Sequence, residues 1–298
     1  MKKSYLLFLS LMLVLAGFPN FSRASFSFAV VGDSRGSTGG QNAPFSIGLR
    51  NMAKKTDGPI FSLGDLVNGC DGSSNCISKI RAWRGMWGKL ISRNYPIVGN
   101  HDRSNARADG VWQKLFPLPQ NGPAGFKDLT YSFNYGDGHF VILDSEKPQE
   151  HLINKVQRDW LDKDLDNTNK KYTFVFYHEP AFCVSRDADG LQVNSAERDA
   201  FWKIIDKHNV TAVFNGHEHL YARKKIDSSV FSVEKNTIYQ FTVGNTDVDK
   251  ADRPKPGESQ YAYRGKSFAI VTVGDDGKIS VELYTIYGQI VNRFTFSK

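Results

Sequence analysis

Five short apolar runs in this chain each end on a residue with a lone pair to offer, and this repeated pairing constrains the fold more than any other feature. The runs are Phe28 to Val31, Pro59 to Leu63, Tyr95 to Val98, Phe174 to Tyr177 and Ala212 to Asn215. Directly after them come Gly32-Asp33-Ser34-Arg35, Gly64-Asp65-Leu66-Val67-Asn68, Gly99-Asn100-His101-Asp102, His178-Glu179-Pro180 and Gly216-His217-Glu218-His219. In open α/β sheets, ligands bind in the crevice outside the carboxyl ends of the strands. Asp, Asn and His recurring at that place in series point into one crevice, and packing alone gives no reason for the recurrence.

The segments between the runs set the fold class. Helices are expected at Pro44–Lys55, Ile77–Ser92, Asn154–Asp166 and Ala196–His208, the third from Val156, Trp160, Leu161 and Leu165 at helical spacing. Ser195 is the expected N-cap of the last. Strands are expected at Phe28–Val31, Ile60–Leu63, Ile97–Val98, Thr130–Asn134, Phe140–Leu143, Tyr172–Tyr177 and Val210–Phe214. After Tyr221 the pattern turns all-β, with strands at Thr237–Val243, Phe268–Val273, Ile279–Thr285 and Ile290–Thr295. This order fits two mixed sheets flanked by helices. Residues 103–129 and 246–266 read as loops that roof the crevice.

The motif series resembles the calcineurin-like metallophosphoesterases. Within that family it is most similar to the purple-acid-phosphatase-like branch, through Gly216-His217-Glu218-His219-Leu220-Tyr221-Ala222-Arg223. The specific part is Gly-Asn-His-Asp followed far downstream by Gly-His-x-His, and the likeness runs from Phe26 to the C-terminus. It implies an α/β fold, a four-layer α/β/β/α sandwich of two mixed sheets. It also implies two metal ions. Asp65 would bridge them; Asn100, His178 and His217 would complete the second site, and Asp33 and His219 the first. Carboxylate, amide and imidazole ligands suit divalent or trivalent Mn, Fe or Zn. A metal-bridging hydroxide would then attack phosphorus while His101 meets the leaving oxygen. Asp102 is expected to orient the His101 ring.

Two positions depart from the family pattern. Many members carry Asp-x-His in the first motif, where this chain has Arg35, and a guanidinium has no lone pair to give. The purple enzymes use a Tyr three residues after the bridging Asp, where this chain has Asn68, whose amide oxygen is a weak ligand. The first site is therefore expected to hold metal less tightly and to lack the purple phenolate colour. Arg35 is free either to clamp substrate oxygens bidentately or to pair with a loop carboxylate. His139, His151 and His208 sit in no ligand motif and read as ordinary packed or surface residues.

The remaining features bound location and partners. Met1-Lys2-Lys3, an uncharged stretch from Tyr5 to Gly17 and Ser22-Arg23-Ala24 fit a cleaved export signal over residues 1–24, with cleavage after Ala16 the alternative. Residues 25–298 would then be one metallophosphoesterase domain, secreted or periplasmic, with no membrane anchor. Removing Lys2, Lys3 and Arg23 takes the formal charge from +7 to +4, too mild for a nucleic-acid surface. Cys70 and Cys76 are expected to close a small disulfide, with two free thiols the alternative, and Cys183 is left odd and buried. The expected activity is hydrolysis of a small phosphomonoester. A phosphodiester or nucleotide substrate, and a scaffold with degraded catalysis, are the alternatives.

Overall fold

The computed structural model describes residues 24–36, 43–185, 189–231 and 235–298. The expected export signal therefore lies outside the described residues up to position 23. The described elements are β1 (Ala24–Val31), α1 (Ala43–Met52), β2 (Ile60–Ser62), α2 (Ser74–Trp87), β3 (Asn94–Pro96), α3 (Arg107–Leu115), β4 (Tyr131–Tyr135), β5 (Gly138–Ile142), α4 (Lys155–Asn167), β6 (Tyr172–Phe176), α5 (Ser195–Lys207), β7 (Ala212–Asn215), β8 (Tyr221–Ile226), β9 (Ile238–Val243), β10 (Tyr261–Tyr263), β11 (Ser267–Gly274), β12 (Lys278–Thr285) and β13 (Ile290–Ser297).

They form two sheets, ordered β13-β12-β11-β1-β2-β3 and β10-β8-β9-β7-β6-β5-β4. Both are mixed. Parallel pairing joins β1, β2 and β3 in the first sheet and β5, β6, β7 and β9 in the second. Side-chain alternation along a strand puts successive residues on opposite faces, and β1 shows the result. Phe26, Phe28 and Val30 face the core between the sheets, while Ala29 and Val31 join the core that holds Phe45, Ile80, Trp83 and Trp112 of the helices. On the far side, Leu161, Leu165, Phe201, Trp202 and Ile205 of α4 and α5 pack with Val175 and Val213 of the second sheet. The four-layer α/β/β/α expectation holds.

The layer between the sheets is largely phenylalanine. Phe61 stacks on Phe176 at 3.9 Å, Phe176 on Phe214 at 5.3 Å and Phe214 on Phe241 at 5.2 Å. Phe28 meets Phe174 edge-on at 5.0 Å. Ring pairs at such spacings add to their area burial. Phe176 is fully buried in this stack. Phe176→Ala is expected to lower unfolding free energy by about 3–5 kcal/mol, read as a shift in the denaturation midpoint at unchanged m-value; a loss below about 1 kcal/mol would show that the stack relaxes around the gap.

Several element boundaries differ from expectation. The helix expected to reach Ser92 stops at Trp87, because Gly88 takes φ +50 and the chain continues as a 3₁₀ turn to Arg93. A third helix occupies Arg107–Leu115 inside the expected 103–129 loop, burying Ala108, Val111, Trp112 and Leu115. The third strand is Asn94–Pro96 rather than Ile97–Val98, although Ile97 still donates its amide to Ser62 O at 2.8 Å. Strands at Tyr221–Ile226 and Tyr261–Tyr263 were not expected. Ser195 is the first residue of α5, not its cap; the preceding Asn194 makes no side-chain cap bond. Cys70 and Cys76 are joined, with Cα atoms 4.7 Å apart.

Candidate metal centre

The carboxyl ends of β1, β2, β6 and β7 and the turn after β3 carry their motifs to one place. Close backbone approach is what the motif glycines provide. A Cβ on Gly99 would lie 2.4 Å from Asp65 N, and one on Gly64, which has φ +91, would lie 2.5 Å from His178 Nδ1. No larger residue fits either position without moving a neighbouring motif. Asp33, Asp65 and His217 themselves adopt positive φ of 52, 54 and 68. For a residue with a side chain that region costs of order 1–3 kcal/mol, and such outliers gather at functional sites.

Asp33, Asp65 and His178 each place a ligand atom within 4.8 Å of the others. His178 Nδ1 donates to Leu63 O at 2.6 Å, which leaves the Nε2 lone pair 3.5 Å from Asp65 Oδ1 and 3.1 Å from Asn100 Oδ1. His219 repeats the pattern: Nδ1 donates to Lys250 O at 3.2 Å, and Nε2 lies 3.6 Å from Asp33 Oδ1. A backbone partner on one ring nitrogen fixes the tautomer and prepares the other for a metal. His217 packs its ring 5.2 Å from that of His178 and sends Nε2 to Asp189 Oδ1 at 2.8 Å, leaving Nδ1 as its remaining ligand atom. Asp33 Oδ1 is buried with no hydrogen-bond partner. A cation between these groups removes that penalty, so the donor set fits the implied metals.

The electrostatics agree. Burial, and then the Asp65 charge, hold Asp33 well above the ordinary carboxylate range. At Asp65 burial acts upward, but Arg35 and the His101 amide, with the His178 ring beside them, outweigh it and bring the carboxyl down. Burial pulls His178 down to about 3 and so keeps it neutral and ready to ligate. At His217 the same burial is outweighed by the Asp189 bond and by Glu179, Asp65 and Asp33, which push it up to about 9. An ion taken up there must displace a proton.

The structure sorts the other expected residues. His101 donates its amide to Asp65 Oδ1 at 3.0 Å and keeps its ring part-exposed, with Nε2 4.0 Å from Asp65 Oδ2. Asp102 does not orient that ring. It is buried and accepts from the amides of Leu66, Val67 and Gly99 at 2.9, 3.1 and 3.0 Å, tying the Asp65 loop to the Asn100 turn. Asn68 is exposed, with its backbone carbonyl taken by Lys79 Nζ at 2.8 Å. Arg35 lies inside the cluster: Nη1 donates to Asp65 Oδ2 at 2.8 Å, and Nη2 is 3.3 Å from His219 Nε2. With Lys250, Arg35 and His219 line a cleft of ≈ 170 Å³. The expected roof at 246–266 is real here, since Lys250 and Asp252 both hold His219.

Sequence reasoning missed other residues. His151 Nδ1 lies 2.7 Å from Glu179 Oε2, so this histidine abuts the neighbour of His178. Trp83 donates Nε1 to Ser34 Oγ at 2.9 Å, fixing the residue between Asp33 and Arg35. Neither contact has a local signal, because the partners lie 28 and 49 residues apart. Cys183 is the free thiol, pushed up to about 12 by burial and then by Glu218. In the native protein it is expected to react with iodoacetamide at pH 8 at least about 100-fold slower than after unfolding; equal rates would place the thiol in solvent.

Residues 26–221 match the calcineurin-like phosphoesterase family model. Purple acid phosphatase 13 of Arabidopsis thaliana is 24% identical over 174 residues, 53% of this chain and 28% of that protein. An acid phosphatase of Aspergillus ficuum is 24% identical over 211 residues, 57% of this chain and 31% of that protein. The chain thus spans about a third of the curated relatives' length. Among solved structures, the yellow lupin purple acid phosphatase PPD1 superposes with a TM-score of 0.73 at 17% identity, covering 91% of this chain and 53% of that one. GAP50, described as the anchor in the inner membrane complex of Plasmodium, gives 0.62 at 11% identity over 91% of this chain and 88% of that one. With the family model spanning most of the chain and its motifs converging on one buried Asp/His cluster, this protein belongs to the calcineurin-like phosphoesterases, a family of metal-dependent phosphoester hydrolases.

Proposed function

We propose that this chain is an exported phosphomonoesterase of the acid-phosphatase kind, acting on a small phosphorylated substrate. The observation that carries the reading is the buried meeting of Asp33, Asp65 and His178, with Asp33 Oδ1 left without a donor. When bound, two ions such as Mn, Fe or Zn supply the charge that a transferring phosphoryl group needs and an activated water. Asp65, Asn100, His178 and His217 would hold one ion, and Asp33, Asp65 and His219 the other. The Asp102 clamp keeps the Asp65 loop and the Asn100 turn in register.

His101 has the exposure to reach a leaving oxygen and a backbone anchored to Asp65. It donates the proton that the leaving group takes. His101→Ala is therefore expected to cut kcat for an aryl phosphate by about 10²–10⁴-fold while metal content stays at the parent level. An unchanged kcat would remove His101 from the proton path.

Hydrolysis of p-nitrophenyl phosphate and of its bis-ester, by chelator-treated protein as manganese is added back, tests the catalytic reading. Metal-dependent turnover of the monoester above the diester supports it; the reverse order moves the substrate to a phosphodiester. GAP50 bears an anchor's description on this fold, and fold alone does not carry activity. Metal binding without turnover of either ester would therefore favour a binding scaffold.

A further inference from the structure

The loop from Asn245 to Asp252 holds His219 by both ring and backbone. Lys250 O accepts from the ring Nδ1 at 3.2 Å, Asp252 Oδ2 accepts from the His219 amide at 2.8 Å, and the Asp252 amide donates to His219 O at 3.1 Å. The same loop reaches the Asp33 turn. The amides of Thr246 and Asp247 donate to Gly32 O and Asp33 O at 3.0 and 3.2 Å, and Asp247 O accepts from Gly36 N at 2.9 Å. Asp33 and His219 are the groups that the proposed ligand set gives to the first ion alone. One segment therefore ties them together.

Arg264 closes this loop. It stands on the short link between β10 of one sheet and β11 of the other. Its guanidinium donates from Nε to Asp252 O at 2.8 Å and from Nη2 to Ala251 O at 2.9 Å, beside the His219 contacts. Its backbone carbonyl accepts from Asn245 Nδ2 at 2.8 Å, at the loop's other end. A rigid planar fork on two successive carbonyls fixes the loop's path in a way that a single point charge does not.

Taking the ligand set of the proposed function, we infer that Arg264 and Asp252 are positioning residues for the first metal position. They set its affinity by holding His219 against Asp33. Partners that orient a metal-binding histidine commonly change affinity by about 10–100-fold. Coulomb attraction alone predicts the opposite effect for Arg264. It is a cation on the loop that holds a metal ligand, so removing its charge would strengthen cation binding. Removing its fork frees the loop, the His219 ring loses its fixed direction, and binding weakens.

Calorimetric titration of the full-length, metal-free protein with manganese tests this. The parent is expected to show two uptake events, the weaker at the first position. Arg264→Ala and Asp252→Ala should each weaken that event by about 10–100-fold and leave the tighter event unchanged. Arg264 is exposed, so Arg264→Ala should also melt near the parent temperature. Asp252→Asn keeps an oxygen to accept from the His219 amide and should keep most of the affinity. Arg253→Ala removes a neighbouring exposed loop charge and should weaken neither event. First-site affinity in Arg264→Ala equal to or above the parent's would overturn the proposal, as would equal losses at both positions or an equal loss in Arg253→Ala. A loss in Asp252→Asn as large as in Asp252→Ala would also overturn it, because charge rather than position would then be at work. A parent that takes up a single ion would fail the ligand set itself, and the positioning role with it.

Discussion

Asn100→Ala is expected to lose phosphoester turnover by about 10³-fold or more, the scale of removing several kcal/mol of charge stabilisation from the transition state. The fold should survive. Asn100 is only part-buried, and its side-chain oxygen meets His178 Nε2 at 3.1 Å, a contact internal to the site. Asp102→Ala makes the informative contrast. Its carboxylate satisfies three buried amides, from Leu66, Val67 and Gly99. Losing it leaves those donors unpaired at about 1–3 kcal/mol each. Asn100→Ala should therefore lose activity and bound metal at nearly the parent melting temperature, and Asp102→Ala should lose stability as well. Turnover of Asn100→Ala at the parent rate would show that the assigned site is wrong. Equal melting temperatures for the two variants would return Asp102 to a role at the His101 ring.

That contrast shows where sequence reading stops. The strands and the ligand-bearing turns were legible because both are local. An apolar run followed by Gly and a lone-pair donor needs only consecutive residues, as at Ile60–Leu63 before Gly64-Asp65. The layer order followed from the alternation of helical and strand segments. What escaped depends on distance along the chain. Arg35 meets Asp65 and His219 across 30 and 184 residues, and no window around Arg35 holds that information. Asp102 reads locally as the partner of its neighbour His101, yet two of its three donors, Leu66 and Val67, sit one motif earlier. Helix α3 was legible, since Ala108, Val111, Trp112 and Leu115 recur at i, i+3, i+4 and i+7, but it lies inside a stretch whose Gly, Pro and Asn content reads as loop. β8 was hidden by Arg223, Lys224 and Lys225. Lys224 is nevertheless buried there, its ammonium held by Glu258 at 2.5 Å.

Arg35→His is expected to convert one weak metal position into a tight one. In the present chain a permanent cation donates to Asp65 Oδ2 at 2.8 Å and lies 3.3 Å from His219 Nε2. Those are atoms that the first ion would need under the proposed ligand set. Its uptake therefore has to displace a guanidinium from a largely buried carboxylate, and breaking such a pair is costly. A histidine at this position removes the competitor and adds a lone pair. Metal analysis after equilibration with a limiting chelator should then show one firmly held ion per parent chain and two per Arg35→His chain, with first-site affinity at least about tenfold higher. Arg35→Ala separates the two effects, because it removes the charge and adds no ligand. If Arg35→Ala also gains affinity, the competition is electrostatic. If metal content does not change while KM for an aryl phosphate rises, Arg35 leaves the carboxylate when ions arrive and its fork holds substrate oxygens. The second outcome would make the guanidinium a substrate clamp that occupies the first metal position only while that position is empty.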